Sequence, residues 1–381
     1  MRRCMSLSAL SFAAALLTIS ACSKKTTDKK EPPAEKPAEG TPPAEGTPPA
    51  SGGGGGQVEV FSWWTGPGEQ EGLDAMIAVF KEKNPGIEVV NAAVSGGAGT
   101  NAKAILANRL QADNPPDSYQ RHAGLELVDD IKAEKLEDLT SMFDQQGWKE
   151  KMPKGLLEAI TIDGKIYSVP VNIHRANLIW FTPKTLKELG IAGPPKTWKE
   201  FLTQAADIKT AAADWQPAAD RVADGAAVYT VMGDWQDAYW GRAKKMKFKE
   251  DYDVVASPGS AGVYDFLSDS FTLPLKAKNR DAAVKWLELC GSVEGQDAFN
   301  PQKGSVPART DADKSKYKDY LASALEDWQN PSTKIVGSLA HGVVANNALS
   351  SEIDTALGLF VASGDTKAFA EAIGKAYAAT K

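Results

Sequence analysis

The amino-acid sequence predicts an α/β protein with a parallel sheet, and three observations lead to this prediction. Runs rich in β-branched and aromatic residues alternate with helical segments along the chain. Clusters of proline, glycine and asparagine, such as Asn84-Pro85-Gly86, separate these runs. The 381 residues are also enough for about two folded units of roughly 100–200 residues each.

The start of the folded region has the clearest pattern. Residues 57–64 alternate and are rich in β-formers, which predicts a strand, and residues 69–83 have the spacing of an amphipathic helix. A strand at 87–94, a helix at 101–112 and a short strand at 118–121 follow. This βαβαβ order is typical of a parallel sheet, because parallel strands are joined by helical crossovers.

The later elements are shorter and more varied. Two apolar arms within residues 160–173 flank Asp163-Gly164, which predicts a β-hairpin. We expect a helix at 198–209 and strands at 226–231 and 271–275, with several helices from there to the end of the chain.

The first 56 residues are read as processing and tether segments. Arg2 and Arg3 precede an apolar stretch, which predicts a secretory signal over residues 1–21. The end of this signal resembles the lipobox of bacterial lipoproteins, and that resemblance implies cleavage before Cys22 and acylation of that residue. The alternative is an ordinary signal peptide that contains a cysteine. Residues 22–56 then form a tether rich in proline and glycine.

Charge and cysteine content exclude several classes of protein. A net charge of −6 and a pI near 5.4 argue against nucleic-acid binding, because little would neutralise a phosphate backbone. After the signal no apolar run reaches the roughly 18 residues of a membrane span. Cys290, the one cysteine of the predicted folded region, lies in a helical pattern and is expected to be a small buried hydrophobe rather than a nucleophile.

The motifs of the common enzyme classes are missing or incomplete. Residues 66–72 follow a strand and are rich in glycine, but the third glycine falls one residue late for a dinucleotide site. Residues 96–103 lack the Gly-Lys-Ser/Thr of a phosphate-binding loop. The three histidines are too scattered for a recognisable metal site, and no carboxylate pair stands out. The case for an enzyme is weak.

Aromatic and polar residues instead stand at the ends of predicted strands. Trp63 and Trp64 close the first strand, Glu69 opens the helix that follows, and Gln120-Arg121-His122 ends the third strand. Ligands of open α/β sheets bind at these strand ends, and an indole face with polar neighbours suits a pyranose ring. Both indoles could equally lie in the core, Glu69 could be a helix cap, and a lone histidine is more often structural.

Several ordered motifs resemble the solute-binding lipoproteins of bacterial carbohydrate ABC transporters, and among these the glucose-binding proteins most. The likeness covers nearly all of residues 57–381. It is carried by residues 61–64, 94–99, 120–124, 169–175, 232–235, 268–271, 299–305 and 338–342.

The resemblance implies a two-lobed periplasmic-binding-protein type II fold with sugar held between the lobes. It implies that the chain crosses between lobes near 169–172 and again near 259–264. Lobe 1 would then hold residues 57–171 and 260–310, and lobe 2 residues 172–259 and 311–381.

The same resemblance assigns sugar-binding residues. Trp63 and Trp64 would stack on the sugar, and Asn172 and Trp235 are further candidates. The implied hydroxyl partners are Glu69, Gln120, His122, Asp269, Lys303 and His341.

One departure from the family concerns the second lobe. After residues 201–209 the family continues for several tens of residues, whereas here only residues 210–214 intervene before the next matching segment. The second lobe is therefore expected to be shortened. Either it repacks and still closes, or the cleft leaks and binding weakens.

We expect an extracytoplasmic sugar-binding subunit of an ABC importer, anchored to the membrane only through the lipid on Cys22. Its expected partners are a hexose, with glucose as the first candidate, and the permease transmembrane subunits. We expect a monomer without catalytic residue, cofactor, metal or nucleic acid. The alternatives are a secreted glycan-active hydrolase, a degenerate relative that binds nothing, and a binder of polyamines or metals.

Overall fold

A computed structural model describes residues 56–204 and 215–379. The predicted signal peptide, Cys22 with its predicted acylation, nearly all of the tether and residues 205–214 lie outside the described residues.

The described chain alternates short strands and helices. The strands are β1 (Gly56–Phe61), β2 (Ile87–Asn91), β3 (Ser118–His122), β4 (Thr161–Ile162), β5 (Lys165–Ile166), β6 (Ser168–Pro170), β7 (His174–Arg175), β8 (Leu178–Phe181), β9 (Thr230–Val231), β10 (Asp253–Ala256), β11 (Val263–Leu267), β12 (Asp269–Thr272) and β13 (Lys334–Gly337). The α-helices are α1 (Glu69–Lys83), α2 (Thr100–Gln111), α3 (Val128–Lys132), α4 (Thr140–Gln145), α5 (Lys154–Ile160), α6 (Pro183–Glu188), α7 (Trp198–Gln204), α8 (Trp215–Ala223), α9 (Trp235–Ala243), α10 (Arg280–Cys290), α11 (Val293–Lys303), α12 (Tyr320–Gln329), α13 (Asn347–Ser363) and α14 (Thr366–Ala379).

Lobe 1 is built on a five-stranded sheet in the order β2-β1-β3-β12-β6. β2 and β3 run parallel to β1, as the βαβαβ pattern predicts, whereas β12 pairs antiparallel with both β3 and β6. The sheet is therefore mixed, and the prediction of a parallel sheet holds only for its first three strands.

Lobe 2 carries two three-stranded sheets, β10-β8-β9 and β13-β11-β7. The chain enters it between β6 and β7. β11 pairs with β7 and β13, whereas β12 pairs with β3 and β6. We therefore describe the chain from residue 268 through α11 with lobe 1, and the predicted crossings near 169–172 and 259–264 stay predictions.

Most of the predicted elements are confirmed, and two strands need correction. The hairpin forms between β4 and β5, with Asp163 and Gly164 both at positive φ (50° and 77°) as a type I′ turn requires. The strand predicted at 226–231 is wrong except for β9, because Ala227 folds back and donates to the carbonyl of Arg221. The strand predicted at 271–275 lies earlier, at β12.

The core of lobe 1 follows from simple periodicity. Val58 and Val60 point from β1 to one face of the sheet and are fully buried, and Leu73, Met76 and Phe80 face them from α1. Burying each of these side chains contributes roughly 1.5–3 kcal/mol. Cys290 is buried as predicted, and its thiol is free.

In one of the contacts between the lobes, α9 of lobe 2 meets the ends of two lobe 1 helices. Gly68 caps the start of α1 with φ +87°, and Gly304 caps the end of α11 with φ +79°. A Cβ atom on Gly68 or Gly304 would lie 2.8 or 2.6 Å from the Cβ of Ala238 in α9. Beside this contact the Arg242 side chain donates to the Gln302 carbonyl at 3.0 Å and also bonds the Gln302 side chain.

Candidate functional site

A cavity of about 260 Å³ lies between the two lobes. Its walls come equally from both. Lobe 1 supplies Trp63, Trp64, Glu69, His122, Asp269 and Lys303. Lobe 2 supplies His174, Trp215, Met232, Trp235, Leu267 and the His341 loop that follows β13. Eight of the ten residues predicted from the sequence thus line one cavity, and the other two, Gln120 and Asn172, lie behind it.

The two tryptophans after β1 have different surroundings. Trp64 is 1% exposed and packs on Phe299 and Phe271 at ring-centroid distances of 4.6 and 5.5 Å, so it forms part of both the core and the cavity wall. Trp63 is only partly buried. A Cβ on Gly99 would approach the Trp63 indole to 3.0 Å, which explains the glycine in a backbone with φ +95°. Trp63 is therefore the more accessible aromatic face.

Glu69 and Lys303 bring opposite charges to the cavity from two helix ends. Glu69 is the first residue of α1 and accepts a hydrogen bond from the Gly66 amide at 3.2 Å. Lys303 is the last residue of α11 and is 3% exposed. Its Nζ lies 3.7 Å from Glu69 Oε1, and the described part of the chain gives it no hydrogen-bond acceptor. Burial raises the pKa of Glu69, and Lys303 partly offsets this effect.

Asp269 is held rigidly by two amide side chains. Gln120 Nε2 donates to its Oδ1 at 2.9 Å, and Asn172 Nδ2 donates to its Oδ2 at 2.8 Å. Asn172 Oδ1 accepts the Asp269 amide at 2.7 Å, and Gln120 Oε1 accepts the Trp63 amide at 3.1 Å. Gln120 and Asn172 therefore position other site residues instead of lining the cavity. Burial acts to raise the pKa of Asp269, but nearby positive charge, including Lys303, and the Asn172 hydrogen bond outweigh it and lower that pKa.

His122 is oriented by a carboxylate that sequence reasoning did not identify. Its Nδ1 lies 2.6 Å from Glu126 Oε2, four residues further along the chain, while its Nε2 lies 3.9 Å from Asp269 Oδ1. Lys103 Nζ donates to Glu126 at 3.1 Å and stands 5.2 Å from the Trp63 ring centroid. Burial acts to raise the pKa of Glu126, but its cationic neighbours hold that pKa far below its ordinary value. Glu126 is thus a charged support for the His122 ring.

His341 and Trp235 complete the lobe 2 side. His341 Nδ1 lies 2.9 Å from Ser338 Oγ, which leaves Nε2 for another partner. Burial lowers the pKa of His341 to about 3, so the ring is neutral at pH 7. Its ring packs edge-on against His122 and Trp235, at 5.4 and 5.6 Å.

Four lining residues were not predicted as site residues: His174, Trp215, Met232 and Leu267. His174 and Met232 fall inside motifs that carry the family resemblance, yet nothing local in the sequence distinguishes them from core residues. Leu267 ends β11 opposite His174, so the pairing of these two strands brings both to the cavity.

The chemistry of the cavity is that of a polar binding site. It combines aromatic rings, a buried ammonium, two carboxylates and three imidazoles, in a volume closed by both lobes. Within residues 56–204 and 215–379 no group of His, Cys, Asp or Glu is arranged to hold a metal ion. In the same ranges no helix is both long and apolar enough to span a membrane.

Comparison with known proteins gives a consistent result. Residues 54–297 match the bacterial extracellular solute-binding protein family. An uncharacterized ABC transporter extracellular-binding protein of Pyrococcus horikoshii is 30% identical over 376 aligned positions, which take in 81% of this chain and 84% of the relative. The xylose/arabinose-binding protein XacG of Haloferax volcanii is 24% identical over 370 positions, 79% of this chain and 80% of the relative.

Two solved structures are similar in fold. The solute receptor AcbH, described as having an exclusive preference for β-D-galactopyranose, aligns with a TM-score of 0.70 and 16% identity over 85% of this chain and 98% of its own. The GacH receptor of Streptomyces glaucescens, solved unliganded and with acarbose, gives a TM-score of 0.67 and 19% identity over 85% and 97%. These likenesses show the α/β two-lobed fold.

Proposed function

Because the chain belongs to the family of bacterial extracellular solute-binding proteins, we propose that it is the sugar-binding subunit of an ABC importer. It captures one monosaccharide between its lobes and delivers it to the permease subunits. A hexose such as glucose is the first candidate. The observation that carries this proposal is the cavity itself, in which an aromatic face and buried charged groups from both lobes converge on a volume of about 260 Å³.

The size of the cavity supports a single sugar ring. At ~30 Å³ per molecule of liquid water, its volume equals that of about nine water molecules. It also falls just below the roughly 300–1,000 Å³ of sites for drug-sized ligands. An oligosaccharide would need either a longer groove or a wider separation of the lobes.

Each lining group has a role that sugar chemistry can use. Trp63 packs on the apolar C–H face of the ring. Lys303 donates to hydroxyl oxygens, while Glu69 and Asp269 accept from hydroxyl hydrogens. The remaining contacts come from His122, His341, Trp64 and Trp235. Gln120 and Asn172 act indirectly by fixing Asp269.

A buried Lys303 to which the described residues give no hydrogen-bond acceptor supports binding of a polar ligand. Burying a charged group without hydrogen bonds is costly, and Glu69 at 3.7 Å gives Lys303 an ion-pair partner but no hydrogen bond. A sugar hydroxyl would supply the missing acceptor, and part of the energy lost when the protein buries this ammonium would then be recovered on binding. The family consists of solute-binding proteins, and we assign no residue a catalytic role.

Outside the cavity, the proposal places the protein on the outer face of the cytoplasmic membrane or beyond it. Cys22 would carry the lipid, and residues 23–56 would be the tether that lets the folded part reach the permease. At ~3.1 Å per residue for extended proline-rich chain, the tether could span on the order of 100 Å. We propose that the protein acts as a monomer.

Titration of residues 23–381 with D-glucose, D-galactose, D-mannose, D-xylose and maltose, followed by tryptophan fluorescence and calorimetry, tests the proposal. Saturable binding of one monosaccharide at micromolar levels, with no release of reducing sugar from oligosaccharides, is the expected result. Turnover of an oligosaccharide would favour a hydrolase instead. A cooperatively folded protein that binds none of these sugars would contradict the proposal and favour a degenerate relative.

A further inference from the structure

His174 in β7 is a buried cavity residue whose ring is fixed from behind. It is 1% exposed, and its Nδ1 is hydrogen-bonded to Asp234 Oδ1. Asp234 is itself fully buried, and its Oδ2 accepts the Arg175 backbone N–H at 3.0 Å. Both oxygens of Asp234 are therefore engaged, so the carboxyl group cannot turn and the imidazole plane is set.

The other ring nitrogen of His174 faces the cavity without a partner. Its Nε2 is buried, has no hydrogen bond within the described part of the chain, and lies 3.7 Å from Asp269 Oδ2. That distance exceeds the 2.7–3.2 Å of a normal hydrogen bond. A bare nitrogen lone pair pointed at a carboxylate oxygen would be repelled, so the favoured arrangement has the hydrogen on Nε2.

We propose that His174 is a ligand-binding residue that, with Asp269, recognises one hydroxyl of the sugar. The Nε2–H donates to the hydroxyl oxygen, and the hydroxyl hydrogen is donated in turn to Asp269 Oδ2. A hydroxyl group can make both bonds at once, whereas a hydrogen at that ring position makes neither. The pair is thus a specificity element, and this inference rests on the sugar-binding function proposed above.

The Asp234 carboxyl decides which nitrogen carries the hydrogen. Burial raises the pKa of Asp234 to about 8, although the Arg175 amide and nearby positive charge oppose this, and burial lowers the pKa of His174 well below its ordinary value. While Asp234 is protonated, its hydroxyl donates to Nδ1 and the neutral ring keeps its hydrogen on Nε2. Once Asp234 ionises at alkaline pH, it draws the hydrogen to Nδ1, which leaves Nε2 bare.

The charged and titratable neighbours of this pair come from several elements. His174 is hydrogen-bonded to Asp234 and interacts electrostatically with Asp269, Lys303, His122 and His341. The groups linked to Asp234 also include Arg175, Asp237, Tyr264 and Tyr320. A fall in sugar affinity at alkaline pH could therefore start at more than one group, and variants are needed to assign it.

The variant Asp234→Asn separates the contribution of Asp234 to this alkaline fall in affinity from the contributions of the other titratable groups. Because the Arg175 N–H requires an acceptor, the oxygen of the new amide must face it, and the amide NH₂ must face His174 Nδ1. The variant then fixes the hydrogen on Nε2 at every pH. We expect wild-type affinity for sugar to fall between pH 7 and pH 9.5 and the affinity of this variant to fall less.

Two substitutions of His174 distinguish direct binding of the sugar by this residue from a purely structural role in supporting Asp234. In His174→Asn the amide reaches Asp234 but leaves no polar atom at the Nε2 position, whereas in His174→Gln the amide lies near the Nε2 position. Binding of D-glucose, D-galactose and their monodeoxy derivatives is measured for each at pH 6.5. We expect the wild type to bind one deoxy sugar at least tenfold more weakly than the parent sugar.

The expected result is that His174→Asn loses this discrimination and binds the parent sugar at least tenfold more weakly, while His174→Gln retains part of both. If His174→Asn keeps wild-type affinity and discrimination, or if only His174→Gln is impaired, His174 merely supports Asp234 and the inference is wrong. An alkaline fall as steep in Asp234→Asn as in the wild type also counts against it. A wild type that binds no sugar overturns the proposed function, and this inference falls with it.

Discussion

The contact between α9 and the end of α11 gives a direct test of whether lobe closure determines affinity. In Gly304→Ala the new Cβ would lie 2.6 Å from the Ala238 Cβ and 3.2 Å from the Ala238 backbone nitrogen. Carbon atoms in contact normally lie ~3.5–4.0 Å apart. Because the clash involves a short side chain and backbone on both sides, relief requires the lobes to separate locally by about 1 Å.

The expected loss has two parts that can be measured separately. A left-handed backbone costs an L-residue about 1–2 kcal/mol, and this lowers the free energy of unfolding. Separation of the lobes additionally lengthens the hydrogen bonds that lobe 2 gives to the ligand. Loss of two bonds at roughly 0.5–1.5 kcal/mol each would raise the Kd for sugar by about fivefold to a hundredfold.

Gly364 is a matched control for this substitution. It caps α13 as Gly304 caps α11, with φ +69° against +79°, but among the described residues no atom lies within 4 Å of the position that a Cβ on Gly364 would take. Chemical denaturation should show a similar loss of stability in Gly304→Ala and Gly364→Ala. Calorimetric titration should show weakened sugar binding only in Gly304→Ala, with partial recovery when Ala238→Gly is added.

Equal affinities of Gly304→Ala, Gly364→Ala and the wild type would refute this reasoning. They would mean that the lobes can absorb the clash without moving the residues that hold the ligand. A drop in affinity that Ala238→Gly fails to relieve would place the effect in the neighbouring Lys303 instead of in the interlobe contact.

Three further predictions concern single residues. Trp63→Ala should raise the Kd for sugar about tenfold in calorimetric titration, because an aromatic contact contributes ~0.5–1.5 kcal/mol beyond the area it buries. The control Trp198→Ala removes an indole that is 49% exposed on α7 and should leave that Kd unchanged. Burial raises the pKa of Asp237 to about 7 despite its hydrogen bond from Tyr252. A raised pKa stabilises the fold at low pH, and this stabilisation is lost as pH rises towards 7. Denaturation from pH 5 to 8 should therefore show the free energy of unfolding falling in the wild type relative to Asp237→Asn. A difference between the two proteins that does not change with pH would contradict this. The Cys290 thiol is fully buried with its pKa raised by burial, so in residues 23–381 a thiol reagent should label it only at the rate of unfolding, and rapid labelling of the native protein would show that α10 opens locally.

The candidate residues at strand ends could be proposed from the sequence because the physics there is local. Trp63 and Trp64 follow β1 and His122 ends β3, and parallel neighbours deliver both strand ends to one edge of the sheet. Asp269, Lys303 and His341 have no such local signal. They were assigned through the family resemblance, and the structure brings all three to the same cavity.

The residues that were missed depend on pairings between distant parts of the chain. Glu126 is recognisable only once β3 and the following turn are folded, and Asp234 meets His174 across 60 residues of sequence. Periodicity gives the type of an element but does not say which strand becomes its neighbour. Sequence alone could not show that β11 and β12, which form one nearly continuous extended run, pair in different sheets.

The equal division of the cavity between the lobes bears on the two outcomes expected from a shortened second lobe. The described residues of lobe 2 still supply six of the twelve lining side chains, and α9 still contacts lobe 1 at Ala238 and Arg242. Neither lobe alone offers a complete set of partners, so a ligand gains its full contacts only when the lobes are together. A ligand shifts such an equilibrium by no more than its difference in affinity for the two states. We expect the retained lobe 2 contacts to supply that difference, which favours closure around the sugar over a leaky cleft.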